Sequence, residues 1–195
     1  MKLLLTRHGE TDWNLQRRIQ GSTDTELNET GRRQAMQLAE VLLTSPDRPG
    51  IIYTSGLKRA QETARIAAGQ LQIPCLIHPG LEELSFGLWE GLTWEQVEQQ
   101  YPDLYHIWHT DRRYGHPPKG ESYQDLLDRV IPALRDVIRQ EGGSGADRRI
   151  LIITHSAVIM SLLSYLNRTP FDEMVKRYKM QNAQITGLDA KRLEA

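Results

Sequence analysis

Near its start the chain reads Leu3-Leu4-Leu5-Thr6-Arg7-His8-Gly9-Glu10-Thr11-Asp12-Trp13-Asn14, an apolar run that leads directly into an Arg-His-Gly triplet and a polar loop. The apolar run predicts a buried strand, and an open α/β sheet exposes reactive side chains where its strands end. An uncharged imidazole is a nucleophile at neutral pH, and a neighbouring guanidinium can hold a phosphoryl oxygen through two parallel hydrogen bonds. A lone Arg-His pair is more often a buried histidine beside a surface arginine, so the rest of the chain decides between these interpretations.

Strand-like and helix-like segments alternate along the chain, which predicts an α/β sandwich. We expect strands over residues 2–6, 51–54, 75–78 and 150–154, with an edge strand near 183–188. Helices are predicted over residues 28–43, 57–68, 93–100, 102–110 and 157–166, and the longest helix begins at Ser122. The Gly-rich stretch 141–147 predicts a flexible loop.

The bulk composition is that of an ordinary globular protein. The chain has 195 residues, 25% of them charged, and a formal net charge of -1. This balance gives no general attraction to nucleic acid or to an anionic membrane. A single cysteine, Cys75, excludes an internal disulfide and fits a reducing cytoplasm. The apolar start is too short for a signal peptide, so we expect a soluble, cytoplasmic protein.

Further motifs follow in order along the chain: Gln20-Gly21, Leu27-Asn28-Glu29-Thr30-Gly31, Thr54-Ser55-Gly56-Leu57-Lys58-Arg59-Ala60-Gln61-Glu62-Thr63-Ala64, Glu83-Leu84-Ser85-Phe86-Gly87-Leu88-Trp89-Glu90-Gly91, Gly120-Glu121-Ser122 and Thr154-His155-Ser156. Together with the first triplet they resemble the histidine phosphatase superfamily, also called the phosphoglycerate mutase-like family, from residue 1 to about residue 166. The resemblance implies a three-layer sandwich with a mostly parallel central sheet flanked by helices. It also implies a single domain over residues 1–195, with a segment at about 84–121 that covers the active site.

Two histidines follow apolar strands, His8 after residues 3–6 and His155 after residues 150–154. If both strands are parallel in one sheet, both imidazoles face the same crevice. Arg7 and Arg59 add positive charge, and Arg59 opens a helix, whose start favours an anion. Two guanidiniums, one protonated imidazole and several amides would suit a phosphoryl group and its transition state.

The resemblance assigns roles to these residues. It implies that His8 becomes phosphohistidine while Arg7, Arg59 and His155 hold the phosphoryl oxygens. Asn14 and the backbone of Gln20 and Gly21 would complete the pocket. The family usually has glycine after the second histidine, whereas this chain has Ser156-Ala157. Because both residues keep a backbone N–H and suit a helix start, we expect Ser156 and Ala157 to contact substrate.

The leaving group needs a proton, which a carboxylic acid opposite the nucleophile can supply. Glu82 and Glu83 are adjacent, so in an extended segment they point to opposite sides. Glu83 matches the family's acid by its spacing to Phe86-Gly87, and Glu82 is the alternative. Burial would raise the pKa of this acid and the arginines would lower it, and the sequence leaves the balance open.

Three other groups of residues are weaker candidates. His106 and His109 lie one helical turn apart, a metal-ligand spacing, but a solvated face is favoured because no cysteine or nearby carboxylate completes a set. The basic loop from Arg112 to Lys119 is expected either to contact the organic part of a substrate or to be solvated. The pocket could be lined, or its cover filled, by three indoles: Trp89, Trp94 and Trp108. For Trp94, burial in the cover is favoured. Arg17 and Arg18 are expected at the surface near the entrance.

The sequence therefore predicts a phosphomonoesterase that uses neither metal nor cofactor and acts on a small phosphorylated metabolite, with α-ribazole 5′-phosphate named first. Phosphoserine hydrolysis, cofactor-dependent phosphoglycerate mutase activity and non-catalytic binding of phosphorylated ligands are the alternatives. The chain is short where the mutases carry an insertion with paired arginines, and all five catalytic positions are filled, which disfavours the last two. No nucleic-acid or membrane partner is expected, and a homodimer is left open.

Overall fold

The computed structural model describes residues 1–142 and 148–194, and its strands form one mixed sheet. The strands are β1 (Lys2–Arg7), β2 (Ile51–Thr54), β3 (Cys75–Ile77), β4 (Arg149–Thr154) and β5 (Ile185–Asp189). Their order is β3-β2-β4-β1-β5, with β5 antiparallel to β1 and every other pair parallel. This arrangement confirms the predicted α/β class with a mostly parallel sheet and an added edge strand.

Helices cover both faces of this sheet. They are α1 (Asp12–Leu15), α2 (Glu29–Leu43), α3 (Lys58–Leu71), α4 (Trp94–Gln100), α5 (Pro102–Thr110), α6 (Tyr123–Glu141), α7 (Ser156–Leu166), α8 (Met174–Tyr178) and α9 (Lys191–Glu194). A short 3-10 turn spans Gly87–Trp89. Within the described residues, no helix combines the length and apolarity needed to cross a bilayer.

The period-two alternation of the central strands divides the core into two layers. Leu3 and Leu5 point to the face covered by α6 and α7, whereas Leu4 between them points to the face covered by α2 and α3. The neighbouring strand behaves in the same way, with Ile150 and Ile152 on the first face and Leu151 on the second. Full burial of each such side chain contributes about 1.5–3 kcal/mol, so both layers are anchored on the central strands.

Helix starts follow the capping signals in the sequence. The Asn28 side chain accepts from the Gly31 N–H as the N-cap, so α2 begins at Glu29, one residue after its predicted start. Capping boxes form at Thr93 with Gln96 and at Ser122 with Asp125. These caps satisfy backbone N–H groups that would otherwise lack partners.

Most predicted boundaries agree with the structure within one or two residues, but the ends of two helices were wrong. Helix α3 continues past residue 68 to Leu71, because Ala67, Ala68 and Leu71 still face the core. Glu141 belongs to α6 rather than to the predicted loop: its carboxylate accepts from the Tyr53 hydroxyl at 2.7 Å and pairs with Arg148. The rest of that predicted loop, residues 143–147, lies outside the described residues.

Close contact between two backbone segments joins the first loop to α2. A Cβ added to Gly31 would lie 2.1 Å from the carbonyl oxygen of Glu10, and one added to Gly9 would lie 2.5 Å from the carbonyl oxygen of Gly31. Because backbone atoms cannot rotate away as a side-chain tip can, both positions exclude any side chain. The glycines therefore allow the loop after β1 to pack directly on the start of α2.

We expect Gly31→Ala to lower the free energy of unfolding by about 2–4 kcal/mol, because the backbone must shift to admit the methyl group. Gly69→Ala is the matched control: Gly69 lies inside α3, and a Cβ there meets nothing within 4 Å. Since alanine favours a helix interior over glycine by about 1 kcal/mol, this variant should be stabilised. Urea unfolding of both variants measures the difference, and equal effects would show that close packing at Gly31 is unimportant.

Candidate active site

The end of β1 holds the first histidine in one orientation. His8 is buried, and its Nδ1 lies 2.7 Å from the carbonyl oxygen of Gly9. Because a carbonyl only accepts hydrogen bonds, Nδ1 carries the proton and Nε2 keeps its lone pair. Burial, followed by the charges of Arg59 and Arg7, holds the pKa of His8 well below its ordinary value of 6.5. The imidazole is therefore neutral and nucleophilic at neutral pH.

Residues from distant parts of the chain fix the backbone around His8. The side-chain amide of Asn182 donates to the His8 carbonyl oxygen at 2.9 Å and to Asn14 Oδ1 at 3.2 Å. The N–H of Gly9 donates to the Thr63 hydroxyl at 3.0 Å. Three segments thus hold one short loop, which limits the movement of the imidazole.

Arg59 is fully buried in the first turn of α3. Its Nη1 donates to the carbonyl oxygen of Thr23 and its Nη2 to that of Gly21, both at 2.7 Å. Burial lowers the pKa of the guanidinium to about 10, although the charge of Glu83 opposes this shift. Since its two partners are neutral carbonyls, the positive charge stays available to an anion in the pocket.

Arg7 supplies the second cation beside His8. Its Nη1 donates to the carbonyl oxygen of Met180 at 3.1 Å. Its buried Nε has no hydrogen-bond partner within residues 1–142 and 148–194. The guanidinium is thus held through Nη1, while its unpaired Nε–H remains for a ligand.

His155 lies directly beside His8, with 5.2 Å between the ring centroids. Its Nε2 is 2.7 Å from the Ser55 hydroxyl, which also accepts from the Leu57 N–H. Its Nδ1 is a buried atom with no hydrogen-bond partner in the described part of the chain. Burial, and then the charge of Arg59, keep the pKa of His155 well below 6.5 in the site without an anion. A protonated imidazole beside a bound phosphoryl group stays a prediction.

Glu83 is the buried carboxyl of the pair of neighbouring glutamates. Burial raises its pKa above 4.5, against the opposing charge of Arg59 and hydrogen bonds from Leu84 N and Ala157 N, each 3.1 Å from Oε1. Glu82 instead accepts from the backbone N–H groups of Gly56 and Gly80, at 3.2 and 2.7 Å. Glu83 lines the same cavity as His8, whereas Glu82 braces a turn.

One cavity of about 870 Å³ brings the candidate residues together. Nine of the ten predicted site residues line it: Arg7, His8, Asn14, Gln20, Gly21, Arg59, Glu83, Ser156 and Ala157. The tenth, His155, is fully buried behind the ring of His8. The strand ends, the start of α3 and the start of α7 therefore converge as the topology predicts.

Several of these residues support other side chains of the site. The Ala157 N–H, expected to contact substrate, donates to the Glu83 carboxylate, since the start of α7 faces that acid. The Gly21 carbonyl accepts from Arg59, and Gln20 Oε1 accepts from the Thr11 hydroxyl. Their contacts therefore orient the groups that face the cavity.

Aromatic rings form another part of the cavity wall, namely Phe86, Trp94, Tyr105, Trp108 and Tyr123. Trp94 stacks on Trp108 with 5.0 Å between centroids. The expectation that Trp94 is simply buried was wrong, because this half-buried ring lines the cavity. Trp89 is fully buried beneath the wall, edge-on to Trp108.

The weaker candidates divide between surface and cavity. His106 and His109 are both exposed, as the favoured interpretation predicts. Among the residues that the structure describes, no three His, Cys, Asp or Glu side chains are grouped to hold a metal ion. Arg17 and Arg18 are exposed at the rim of the cavity.

Sequence reasoning missed three supporting residues. Ser55 was inside a quoted motif, and its place directly after β2 could have suggested a polar contact with the site. Glu90 was also quoted, and its carboxylate accepts from Ser22 N at 2.9 Å and from Phe86 N at 3.0 Å. Asn182 follows no motif, and only the antiparallel return of the chain at β5 brings it to His8.

Comparison with known proteins agrees with this geometry. The model of the histidine phosphatase superfamily (branch 1) matches residues 3–194. Glucosyl-3-phosphoglycerate phosphatase of Mycolicibacterium vanbaalenii is 34% identical over 185 residues, which cover 93% of this chain and 81% of that protein. Metal-independent phosphoserine phosphatase of Arabidopsis thaliana is 35% identical over 163 residues, covering 83% of this chain and 66% of that protein.

A solved structure shows the same fold. Mycobacterial glucosyl-3-phosphoglycerate phosphatase in complex with VO3 matches with a TM-score of 0.85 and 33% identity, covering 96% of this chain and 90% of that chain. With the matched family model and the phosphatase relatives, this likeness extends over nearly the whole sequence. The chain belongs to the histidine phosphatase superfamily and is a phosphoric monoester hydrolase.

Proposed function

We propose that this protein hydrolyses small phosphate monoesters without a metal ion, through a phosphohistidine formed on Nε2 of His8. The observation that carries the proposal is the orientation of His8: its Nδ1–H is bound to the Gly9 carbonyl, and its low pKa leaves Nε2 unprotonated. A nucleophile needs this combination of a fixed lone pair and a neutral ring.

The surrounding donors suit a phosphoryl group. Arg7 and Arg59 would neutralise its charge, and the Nδ1–H of His155 would donate to one of its oxygens. Arrival of the dianion beside His155 raises the affinity of that ring for a second proton, so the imidazole can become charged when its charge is needed. Positioning and charge neutralisation of this kind are most of what phosphoryl transfer requires of a protein.

In the first step Nε2 of His8 forms a bond to phosphorus while the bond from phosphorus to the ester oxygen breaks. Glu83, protonated, gives its proton to the departing oxygen, and the alcohol leaves. In the second step the Glu83 carboxylate takes a proton from water, whose oxygen forms a bond to phosphorus as the bond to Nε2 breaks. Inorganic phosphate leaves and both residues return to their starting states.

The rest of the cavity would contact the organic part of the ester. Asn14, Gln20, Gly21 and Ser156 stay proposed contacts at its base. Four of the five rings of the aromatic wall, all but Tyr123, come from the segment over residues 84–121, which supports its role as the cover of a single domain over residues 1–195. A planar base, as in α-ribazole 5′-phosphate, could stack there, and the phosphatase names of the relatives support a small phosphorylated metabolite. Action in the cytoplasm, supported by the single cysteine, and a homodimer stay predictions.

The first experiment is phosphate release in EDTA from a panel of esters: α-ribazole 5′-phosphate, phosphoserine, 3-phosphoglycerate and p-nitrophenyl phosphate. We expect release from at least one of them at a rate that EDTA does not change. Conversion of 3-phosphoglycerate to its 2-isomer without release would instead support the mutase alternative. No turnover of any ester would contradict the proposal.

His8→Ala should lower kcat by a factor of about 10³ or more, since it removes the nucleophile. Rapid acid-free quenching with a ³²P-labelled ester should trap an acid-labile, base-stable phosphoryl group on the wild type and none on the variant. His106→Ala is the control, because this exposed histidine lies outside the cavity. A labelled His8→Ala protein would assign the phosphoryl group to another residue.

Glu83→Gln should slow alkyl esters by about 10²–10⁴-fold and p-nitrophenyl phosphate much less, because a good leaving group needs little protonation. The matched control is Glu82→Gln, one residue away with its carboxylate bound to backbone N–H groups. Steady-state and single-turnover rates with both esters separate the two steps. Equal losses for alkyl and aryl esters would make Glu83 a positioning residue rather than an acid.

The pH profile follows from the two shifted groups. The active form has neutral His8 and protonated Glu83; burial lowers the pKa of the first below 6.5 and raises that of the second above 4.5. Both shifts enlarge the acidic window in which this form is populated. We expect kcat/KM for an alkyl ester to fall as pH rises through the pKa of Glu83 and to fall again at low pH as His8 is protonated. In Glu83→Gln the alkaline fall should disappear, and its persistence would assign that limb to another group.

A further inference from the structure

The basic loop from Arg112 to Lys119 contributes one side chain, Arg112, to the wall of the active-site cavity. Its guanidinium carbon lies 3.7 Å from the centroid of the Trp108 ring. The neighbouring Arg113 is directed elsewhere, and its Nε donates to Gln124 at 2.8 Å. By position, Arg112 lines the ligand space and Arg113 braces α6, while contact of the loop with a substrate stays a prediction.

Arg112 is a partly buried cation that has no ion-pair partner among the residues that the structure describes. Its Nη1 makes only a long contact, 3.4 Å, with His109 Nδ1. Its Nε is buried with no partner within residues 1–142 and 148–194. Other arginines of the same fold are paired: Arg32 with Glu62 at 2.7 Å and Arg129 with Glu121 at 2.9 Å. Burial lowers the pKa of Arg112, and the charge of Asp172 opposes this shift with a smaller effect.

The aromatic wall fixes the position of this charge. Trp108 is almost fully buried, stacked on Trp94 and on Tyr123, so the ring beneath the guanidinium has little freedom. A guanidinium on the face of an indole is stabilised by the ring quadrupole and presents its N–H edge sideways. The remaining donors can therefore point along the wall into the cavity.

We propose that Arg112 binds a carboxylate on the organic part of the phosphate ester. The inference rests on the proposed function, because it places this second anion in the cavity where the phosphoryl group meets His8 and Arg59. One positive charge held away from other ions matches a monoanion, and the planar guanidinium matches the two oxygens of a carboxylate. Arg17 and Arg18 at the rim are exposed, so their charge is largely screened by solvent.

This site would give the enzyme a preference among esters of similar size. A phosphorylated hydroxy acid would pair with Arg112, whereas the same ester with a hydroxymethyl group in place of the carboxylate would leave the cation unpaired. A phosphorylated nucleoside without a second anion, such as α-ribazole 5′-phosphate, would gain only the aromatic stacking. Polar pairing of this kind discriminates more strongly than a matched apolar contact.

The test compares 3-phosphoglycerate with glycerol 1-phosphate, which differ in the carboxylate alone. Arg112→Gln should lower the ratio of their kcat/KM values by about 10–100-fold, as expected for loss of a charge-assisted hydrogen bond, and mainly through KM. Arg112→Lys, which keeps the charge without the planar fork, should give an intermediate ratio.

Arg113→Gln is the matched control and should keep this ratio within about twofold, because its guanidinium is bound to Gln124. Far-ultraviolet circular dichroism and the melting temperature show whether each variant is folded. If Arg112→Gln changes both substrates equally, or lowers p-nitrophenyl phosphate turnover as much as that of 3-phosphoglycerate, Arg112 supports the wall and binds no carboxylate.

The two proposals can fail separately. If the wild type releases phosphate from no ester of the full panel, the proposed function is wrong. If the wild type turns over 3-phosphoglycerate and glycerol 1-phosphate as well as p-nitrophenyl phosphate, and the substrate ratio is insensitive to Arg112→Gln, only the carboxylate site is wrong.

Discussion

The parallel pairing of β1 with β4 is the constraint on which the rest of the site depends. Arg7 is opposite Thr154 in the register, and the His8 N–H donates to the Thr154 carbonyl oxygen at 3.0 Å. Because parallel strands end at the same edge of a sheet, this register brings His8 and His155 into contact. A shift by one residue would reverse the faces of Leu3, Leu4 and Leu5 and disrupt both core layers, so the packing of the core also fixes the catalytic geometry.

Burial produces the chemistry of the site as much as proximity does. In water the Glu83 carboxyl would ionise at a lower pH than the pH at which the His8 imidazole becomes neutral. A protonated acid and a neutral nucleophile would then rarely be present together, and the pair would be ineffective. Desolvation lowers the pKa of His8 and raises that of Glu83, which brings the required forms towards the same pH. The nearby guanidiniums also lower the pKa of His8, but they oppose the rise in the pKa of Glu83. Glu83 therefore depends on its burial to stay protonated.

The sequence predicted the fold and the grouping of the candidate residues around one cavity, because both depend on local signals. Apolar runs end at His8 and His155, capping residues mark α2, α4 and α6, and the motif around Glu83 places the acid near the histidines. The contacts that orient these groups were harder to predict. Asn182 reaches His8 from 174 residues away, and the role of Ala157 towards Glu83 depends on the angle at which α7 meets the loop before residue 84. No pattern of neighbouring residues encodes such distances. The sequence likewise carries no measure of the burial that lowers the pKa of His155, because desolvation depends on the surrounding packing.

The guanidinium of Arg59 is oriented by backbone carbonyls, and electrostatics explains why these partners are suited to it. A carboxylate bound to the guanidinium would cancel the charge that an arriving phosphoryl group needs, whereas the carbonyl oxygens of Gly21 and Thr23 orient it without neutralising it. Such a support works only if the loop carrying those carbonyls is itself rigid.

Glu90 supplies that rigidity, since its carboxylate accepts from the backbone and hydroxyl of Ser22 and from the Thr23 hydroxyl. Gly21 has a φ of +55°, and a Cβ there would lie 2.2 Å from Glu90 Oε1, so glycine permits both the turn and the approach of the carboxylate. The negatively charged carboxylate of Glu90 is thus bonded to the loop and not to the guanidinium. Glu90 holds the loop, the loop holds Arg59, and the guanidinium keeps its charge for the ligand.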